Sequence, residues 1–416
     1  MSQNYDFLVG TFNTPQLYTL RFTPPSPSGA DSGSLKILHR ASAVGSHSWL
    51  HLNPPKRNGN RNLYATAWTE PPTVVAYAVN SPTDIRLLGS APTRSRSGYV
   101  TASEVALYSA GGATGEVFSL DLETGNVIAP AASNGTTTTP SSAQVQPRPL
   151  QLLSFLDENA QRDDGSVMDF GGLRHGAHSA DLSPDGRAIY IADIGRNCIW
   201  TFSIDPKTGA LTLGEKHISP RPTDGPRHVW PHPSGRFVYC LQEHTSMVDV
   251  FSTSNGGVKL KHEQGVRIIP AEEKEGDYWA DEVRTSFSDG NQPKYLYAST
   301  RGLKEGKNGY VAVYKLTSEG TIDTSVAPHH SFAKDASSES ESSLYAGLLY
   351  MWETPTSGGW ANAVQPGPTV DGIEYVALTD SEQGYVFVLS WDGKGIKEAA
   401  RTKLDDGAGA ATAVWL

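Results

Sequence analysis

The chain repeats one pattern of apolar and polar positions. An alternating run leads into a turn with proline and glycine, a second run carries a tyrosine, and a third alternating run follows a polar gap. The two clearest copies span residues 178–202 and 227–251, and their tyrosines, Tyr190 and Tyr239, are 49 residues apart. Short alternating runs bounded by turn residues predict β-strands. The pattern therefore predicts a unit of three or more strands that recurs along the chain.

Four looser copies bring the number of repeats to six. Their second strands contain the tyrosines Tyr64, Tyr108, Tyr297 and Tyr375. Repeats of about 40–50 residues with three or four strands are typical of β-propeller blades. A seventh blade is divided between the two ends of the chain, because residues 6–10 and 17–22 provide two strands and residues 411–416 provide the innermost one. Sharing a blade in this way closes the ring and leaves no open strand edge.

We therefore expect an all-β fold, a seven-bladed β-propeller whose first blade is closed by N-terminal and C-terminal strands. The repeats are too evenly spaced for a pair of β-sandwiches, and closed all-β folds often form one long domain. Residues 1–416 are accordingly predicted to be a single propeller domain. The segment 129–149 is rich in Ser, Thr, Pro and Ala, which predicts a flexible insertion.

Composition narrows the classes of function. The chain has 416 residues and a net charge of −10, which argues against nucleic-acid binding because such binding needs a basic face. No apolar run approaches the roughly 20 residues of a membrane helix, and the first residues lack the pattern of a secretory signal. We expect a cytoplasmic protein that binds neither nucleic acid nor membrane, and a homo-oligomer is compatible with this composition. Cys198 and Cys240 lie in apolar runs and are predicted to be reduced core residues.

Four polar residues occupy equivalent places in the repeats. His178 and Arg227 each lie six residues before a turn proline, at the start of an innermost strand. Glu243 and Arg301 each lie four residues after the second-strand tyrosine, where that strand ends. In a propeller the start of the first strand and the end of the second open on the same face of the ring. We therefore expect all four side chains to converge on one mouth of the central channel.

This convergence suggests a site for a small anionic substrate. Two guanidinium groups, a carboxylate and an imidazole at one concave opening are the groups such a site needs. A single His or Arg on a repeat is more often structural or solvated, but the equivalence in pairs favours the functional interpretation. These charged groups are confined to blades four to six.

Other kinds of site find less support in the sequence. The histidines that could suggest a metal site are His175, His178, His228, His232 and His244. No cysteine ligand or HExxH helix accompanies them, so we predict a site without a metal. A glycine-rich phosphate loop and a Gly-x-Ser-x-Gly elbow are also absent, so no organic cofactor and no serine nucleophile are expected.

Several short motifs resemble one known family. They are residues 354–359 (Thr-Pro-Thr-Ser-Gly-Gly), 362–364, Pro226-Arg227, His232-Pro233, Tyr278 with Ala280-Asp281, and Ala298-Ser299 before Arg301. Across most of its length the chain resembles the fungal carboxy-cis,cis-muconate cyclases and, more distantly, the bacterial propeller-type 6-phosphogluconolactonases. The resemblance implies that His178, Arg227, Glu243 and Arg301 are active-site residues.

The chain departs from this family at two aromatic positions. Trp360 stands where the cyclases have a histidine after Ser-Gly-Gly, and Trp68 lies where they have lysines after the second strand of blade two. We expect both tryptophans to bind substrate as apolar walls. Fewer cations and more aromatic surface at the site favour a substrate that has fewer carboxylates than the tricarboxylate of the cyclases or that has an apolar part.

The resemblance implies a cofactor-free cycloisomerase, a lactonizing enzyme that closes an unsaturated carboxylate such as a muconate derivative to a lactone. Either His178 or Glu243 would supply the proton. A lactone hydrolase of the 6-phosphogluconolactonase type would use the same four residues and is the alternative. A non-catalytic propeller scaffold is a further alternative, although it does not account for the converging charges.

Overall fold

The computed structural model confirms a seven-bladed β-propeller. It describes residues 3–26, 32–55, 59, 61–129, 147–156, 176–287, 292–327, 332 and 338–416. His175 and residues 130–146, the centre of the predicted insertion, lie outside these ranges.

The first four blades follow one another along the chain. Blade 1 contains β1 (Tyr5–Thr11), β2 (Gln16–Thr23) and β3 (Ser34–Ser42). Blade 2 contains β4 (Leu50–Leu52), β5 (Arg61–Ala67), β6 (Thr73–Ser81) and β7 (Asp84–Pro92). Blade 3 contains β8 (Tyr99–Ala102), β9 (Ala106–Gly111), β10 (Thr114–Leu120), β11 (Val127–Ile128) and β12 (Gln151–Ser154). Blade 4 contains β13 (Ala177–Leu182), β14 (Ala188–Asp193), β15 (Cys198–Ile204) and β16 (Leu211–Ile218).

Three further blades and one returning strand complete the ring. Blade 5 contains β17 (Pro226–Pro231), β18 (Phe237–Gln242), β19 (Met247–Ser254) and β20 (Lys259–Arg267). Blade 6 contains β21 (Tyr278–Thr285), β22 (Tyr295–Gly302), β23 (Tyr310–Lys315) and β24 (Leu348–Glu353). Blade 7 contains β25 (Val364–Val370), β26 (Ile373–Thr379), β27 (Tyr385–Trp391) and β28 (Ile396–Lys403), and the last strand is β29 (Ala410–Trp415). The described helices are a short 3₁₀ turn at Glu275–Asp277 and α1 at Glu339–Ser343.

Strand β29 is the innermost strand of blade 1. It pairs antiparallel with β1, where Trp415 lies opposite Phe7, and the Trp415 indole N–H donates to the carbonyl of Gln365 in blade 7 at 3.0 Å. The observed strand Ala410–Trp415 confirms the predicted closure of the first blade by strands from both ends.

Two of the repeated tyrosines join neighbouring blades. The buried Tyr64, in blade 2, donates its hydroxyl proton to the carbonyl of Gly125 in blade 3 at 3.0 Å. In the same way Tyr239, in blade 5, donates to the carbonyl of Gly320 in blade 6 at 2.6 Å. A buried tyrosine needs a partner for its hydroxyl group, and here each hydroxyl bonds to the next sheet while the ring packs in the core between sheets. These bonds give a physical reason for tyrosine at positions 64 and 239.

The turns that point to a repeat in the sequence are β-hairpins between first and second strands. Gly186 and Gly235 have φ of 68° and 70°, and their N–H groups donate to the carbonyls of Ser183 and His232 at 2.8 Å. Glycine adopts this left-handed conformation without a steric cost. These turns set the register in which the innermost strand of each of these blades pairs with its second strand.

Two smaller expectations concern the cysteines and the segment 129–149. Cys198 and Cys240 are buried free thiols, as predicted. Strands β11 and β12 both pair with β10, so the segment 129–149 leaves and re-enters at the outer edge of blade 3. In the described part of the chain, no helix has the length and apolar character needed to cross a membrane.

Candidate active site

A cavity of about 550 Å³ lies at one mouth of the central channel, and every blade contributes to its wall. Its lining includes all six residues predicted from the sequence, namely His178, Arg227, Glu243, Arg301, Trp68 and Trp360. The structure therefore brings the predicted site residues together. Their catalytic and binding roles stay predictions.

A β-bulge in three neighbouring innermost strands positions polar side chains at this mouth. The register shifts at His178 in β13, at Arg227 in β17 and at Asp281 in β21. A bulge adds one residue to its strand and redirects the side chain there. Glu243 directly follows β18, and Arg301 is the next-to-last residue of β22, so both lie at the same end of the ring.

Glu243 joins the two predicted arginines. Its Oε1 accepts hydrogen bonds from Nε of Arg227 at 3.1 Å and from Nη2 of Arg301 at 2.7 Å. All three side chains are buried. Two guanidinium groups on one carboxylate oxygen favour the ionised form of the carboxylate.

Asp281 is a second carboxylate in this cluster. Its Oδ1 lies 2.9 Å from Nη2 of Arg227 and 3.9 Å from Nε of Arg301. Its Oδ2 accepts a hydrogen bond from the backbone N–H of Asn362 at 2.8 Å. Asp281 therefore links the arginines of blades 5 and 6 to the segment that enters blade 7.

The Ser-Gly-Gly segment also contacts an arginine. Gly358 and Gly359 both have positive φ, and the turn that they form brings the carbonyl of Trp360 to within 2.6 Å of Nη1 of Arg301, which donates to it. The Arg301 guanidinium carbon also lies 5.2 Å from the ring centroid of Trp279. The Ser-Gly-Gly segment, which is part of the family resemblance, thus fixes the position of the Arg301 guanidinium.

His228 lines the cavity and lies close to His178, Arg227 and Glu282. Its ring is 5.1 Å from the ring of His178, Arg227 Nη1 lies 3.1 Å from its Nε2, and its Nδ1 lies 3.0 Å from Oε1 of Glu282. Burial, helped by the charges of the nearby arginines, lowers the pKa of His228 well below its usual value. A neutral imidazole here holds Arg227 in place without adding charge.

Part of the cavity wall is aromatic. The ring of Phe12 lies 5.4 Å from that of Trp68 and 6.1 Å from that of Trp360. Trp360 is 66% exposed, which is unusual for so large an apolar side chain and fits a surface that binds a ligand. Arg96 extends over this wall, with its guanidinium carbon 5.1 Å from the centroid of Trp68.

The other mouth of the channel holds a second cavity, of about 490 Å³. The same innermost strands line it at their far ends, for example with Asp181 of β13 and Arg284 of β21. None of the four residues predicted to be catalytic lies there. Among the described residues, no group of three His, Cys, Asp or Glu side chains is arranged to hold a metal ion.

Sequence reasoning missed three polar residues of the site. It noted Asp281 only as part of a family motif, considered His228 only as a metal ligand, and did not single out Arg96. Asp281 occupies the bulge position of His178 and Arg227, but its longer distance to the second-strand tyrosine hides this equivalence in the sequence. Arg96 carries no repeat signal, because it lies in the loop before β8.

A closed propeller with a cluster of buried charged groups in a cavity at one channel mouth has the architecture of a propeller enzyme. The chain matches the family model described as lactonase, seven-bladed β-propeller, over residues 6–328, and it belongs to that family.

Two relatives and one solved structure show how far the similarity extends. The chain is 38% identical over 422 residues to "Muconate cycloisomerase 1" of Cutaneotrichosporon cutaneum, and the match covers 99% of this chain and 98% of that protein. It is 28% identical over 248 residues to "Carboxy-cis,cis-muconate cyclase" of Neurospora crassa, which covers 58% and 60% of the two chains. A putative 6-phosphogluconolactonase from Bacteroides uniformis shares the fold, with a TM-score of 0.70 at 19% identity over 99% of each chain.

Proposed function

We propose that the protein is an enzyme of lactone chemistry, a cycloisomerase that closes an unsaturated carboxylate such as a muconate derivative to a lactone. The observation that carries this proposal is the convergence of His178, Arg227, Glu243 and Arg301 on one cavity. The full-length similarity to a protein named as a muconate cycloisomerase supports it.

The proposed reaction balances without an oxidant or a reductant. One substrate carboxylate oxygen adds to a carbon of the conjugated double bond, and the new C–O bond closes a five-membered lactone. The π electron pair moves towards the second carboxylate, and a proton adds to the carbon beside it. The enzyme group that donates this proton regains one from water.

The contacts favour His178 as the proton donor. Glu243 is held by two guanidinium groups in an arrangement that favours its ionised form, and an ionised carboxylate has no proton to give. We therefore assign proton transfer to His178 and the positioning of Arg227 and Arg301 to Glu243. The two arginines would stabilise the negative charge that develops on the acceptor carboxylate.

A lactone hydrolase is the second candidate, and the description of the family favours it. In that reaction His178 would remove a proton from water, and the resulting hydroxide would attack the lactone carbonyl. The ring C–O bond would break, and the leaving oxygen would take the proton from His178. The same arginines would hold the anionic group of the substrate. The geometry of the four side chains serves both reactions.

One panel of assays separates these functions. Purified protein is incubated with cis,cis-muconate and 3-carboxy-cis,cis-muconate, read by loss of diene absorbance, and with sugar lactones, read by proton release. A cyclase run in D₂O should place one carbon-bound deuterium in the lactone product, which NMR detects. Hydrolysis of lactones without any turnover of muconates would replace the proposal by the second candidate. No turnover in either assay would point to a scaffold.

A further inference from the structure

The charged groups of the inner cluster balance one another. Arg227 and Arg301 lie within 2.7–3.1 Å of carboxylate oxygens of Glu243 and Asp281. Two guanidinium groups and two carboxylates in direct ion pairs leave little net charge to attract an anion. Among the described residues, the cavity lining contains one further charged side chain, Arg96, which gives these lining residues a net charge of about +1.

Arg96 is held by an aromatic ring. Its guanidinium carbon lies 5.1 Å from the centroid of Trp68, and no carboxylate of the described ranges pairs with it. The Trp68 indole N–H donates to the carbonyl of Ser97 at 3.0 Å, which ties the loop that carries Arg96 to the ring beneath it. A guanidinium over an aromatic face keeps its planar set of N–H donors for a carboxylate.

We propose that Arg96 binds the second carboxylate of a dicarboxylate substrate. This inference rests on the proposed function and names the substrate class of the same site. One carboxylate would lie at the inner cluster beside His178, and the carbon chain would cross the aromatic wall of Phe12, Trp68 and Trp360. With the inner cluster occupied by the first carboxylate and Arg96 by the second, the described lining residues include no further cation for a third carboxylate, so the site discriminates against tricarboxylates.

A binding experiment that needs no turnover tests the role of Arg96. Adipate has two carboxylates on a six-carbon chain and cannot cyclise, and its neutral diamide, adipamide, is the uncharged control. We expect Arg96→Ala to raise the dissociation constant of adipate about 10- to 100-fold in titration calorimetry, the usual worth of a charge-assisted hydrogen bond. Binding of adipamide should change less than about threefold.

Arg94 provides the matched control variant. It lies in the same loop, carries the same charge and is exposed, but it does not line the cavity. Arg94→Ala should bind adipate as the wild-type protein does. For turnover of cis,cis-muconate, Arg96→Ala should raise KM by the same factor as the dissociation constant and leave kcat within about threefold.

Three results would overturn the inference. They are unchanged adipate binding in Arg96→Ala, equal weakening in Arg94→Ala, or no adipate binding by the wild-type protein. Wild-type turnover of 3-carboxy-cis,cis-muconate as efficient as that of cis,cis-muconate would contradict the dicarboxylate class. Failure of the proposed function has a different signature, because adipate would then bind in an Arg96-dependent manner while no muconate is turned over.

Discussion

The bulge residues of three neighbouring blades have different chemical roles although they share one backbone geometry. His178 presents a group that can exchange a proton, Arg227 presents a cation, and Asp281 presents the carboxylate that pairs with that cation. Because the bulge holds each side chain at the channel mouth, the chemistry of the site depends on which residue occupies each bulge. The backbone of the repeat can therefore stay the same while the side chains at the bulges differ.

His178→Ala tests the assignment of the proton donor. Loss of a general acid should lower kcat by about 10²- to 10⁴-fold and leave KM nearly unchanged. Steady-state kinetics on the substrate found in the panel assay measures this split. If Glu243→Gln is inactive while His178→Ala is merely slow, Glu243 is the donor. Full activity of both variants would place the chemistry outside these residues.

Asp181 predicts a pH dependence of stability that is separate from the proposed active site. Burial raises the pKa of Asp181 from 3.8 to about 7, against the opposing charge of Arg284. The native state therefore keeps a proton that the unfolded state loses above pH 4, so this group makes the protein less stable as pH rises from about 4 to 7. One pKa unit corresponds to about 1.4 kcal/mol, so the penalty reaches up to about 4 kcal/mol at pH 8.

Asp181→Asn should remove this penalty, because asparagine stays neutral and its oxygen can still accept the hydrogen bond that Tyr99 donates at 2.7 Å. The melting temperature of the variant should match the wild type near pH 4 and exceed it increasingly up to pH 8. Asp371→Asn, which removes the same charge from an exposed turn, is the control and should follow the wild-type profile. Parallel profiles for all three proteins would contradict the predicted titration of Asp181.

At the scale of strands and blades, the sequence predicted most of the architecture because each blade is built from local signals. The turn at Gly186, the tyrosine of the second strand and the alternation along each strand all lie within about 50 residues. The ion pairs between side chains of different blades could not be predicted from such local signals. His178 and Arg227 lie twelve residues before their tyrosines, but the longer β21–β22 connection puts Asp281 sixteen residues before Tyr297, which hid its equivalence.

The closing strand β29 gives a prediction at the scale of elements. Trp415 packs 4.5 Å from the ring of Phe7 and bonds to the carbonyl of Gln365, so it joins blade 1 to blade 7. Trp415→Ala should cost about 3 kcal/mol of unfolding free energy, the lower end of the range for buried tryptophan because this side chain is only half-buried. Denaturant unfolding measures the loss.

Trp360→Ala is the matched control for Trp415→Ala. Trp360 is 66% exposed, so its removal should leave stability unchanged and weaken substrate binding, whereas Trp415→Ala should do the reverse. Equal stability of the two variants would mean that β29 does not hold the ring closed.

At the scale of the whole molecule, the ring and the site depend on one another. Each innermost strand contacts the next around the channel, and the cavity takes residues from all seven blades. The Arg301 guanidinium, for example, is held by Glu243 of blade 5 and by the Trp360 carbonyl that precedes blade 7. An opening between any two of these blades would separate a cation from its partner, so the site is intact only while the ring is closed.

Cleavage of the chain between β11 and β12 tests the prediction that residues 1–416 form a single domain. Strands β11 and β12 flank the segment 129–149, and each pairs with β10 by itself, so a cut between them breaks no strand pair of the described residues. Limited proteolysis should cleave first within 129–149, and the two fragments should stay together in size-exclusion chromatography, because the closed ring holds them through the contacts of blades 3 and 4 and of blades 1 and 7. Calorimetry of the intact and the cut protein should show one unfolding transition each, since every blade packs against two neighbours and none can unfold alone without exposing the core of both. Separate elution of the fragments, or two resolved transitions in the intact chain, would show that residues 1–416 are not one cooperative domain.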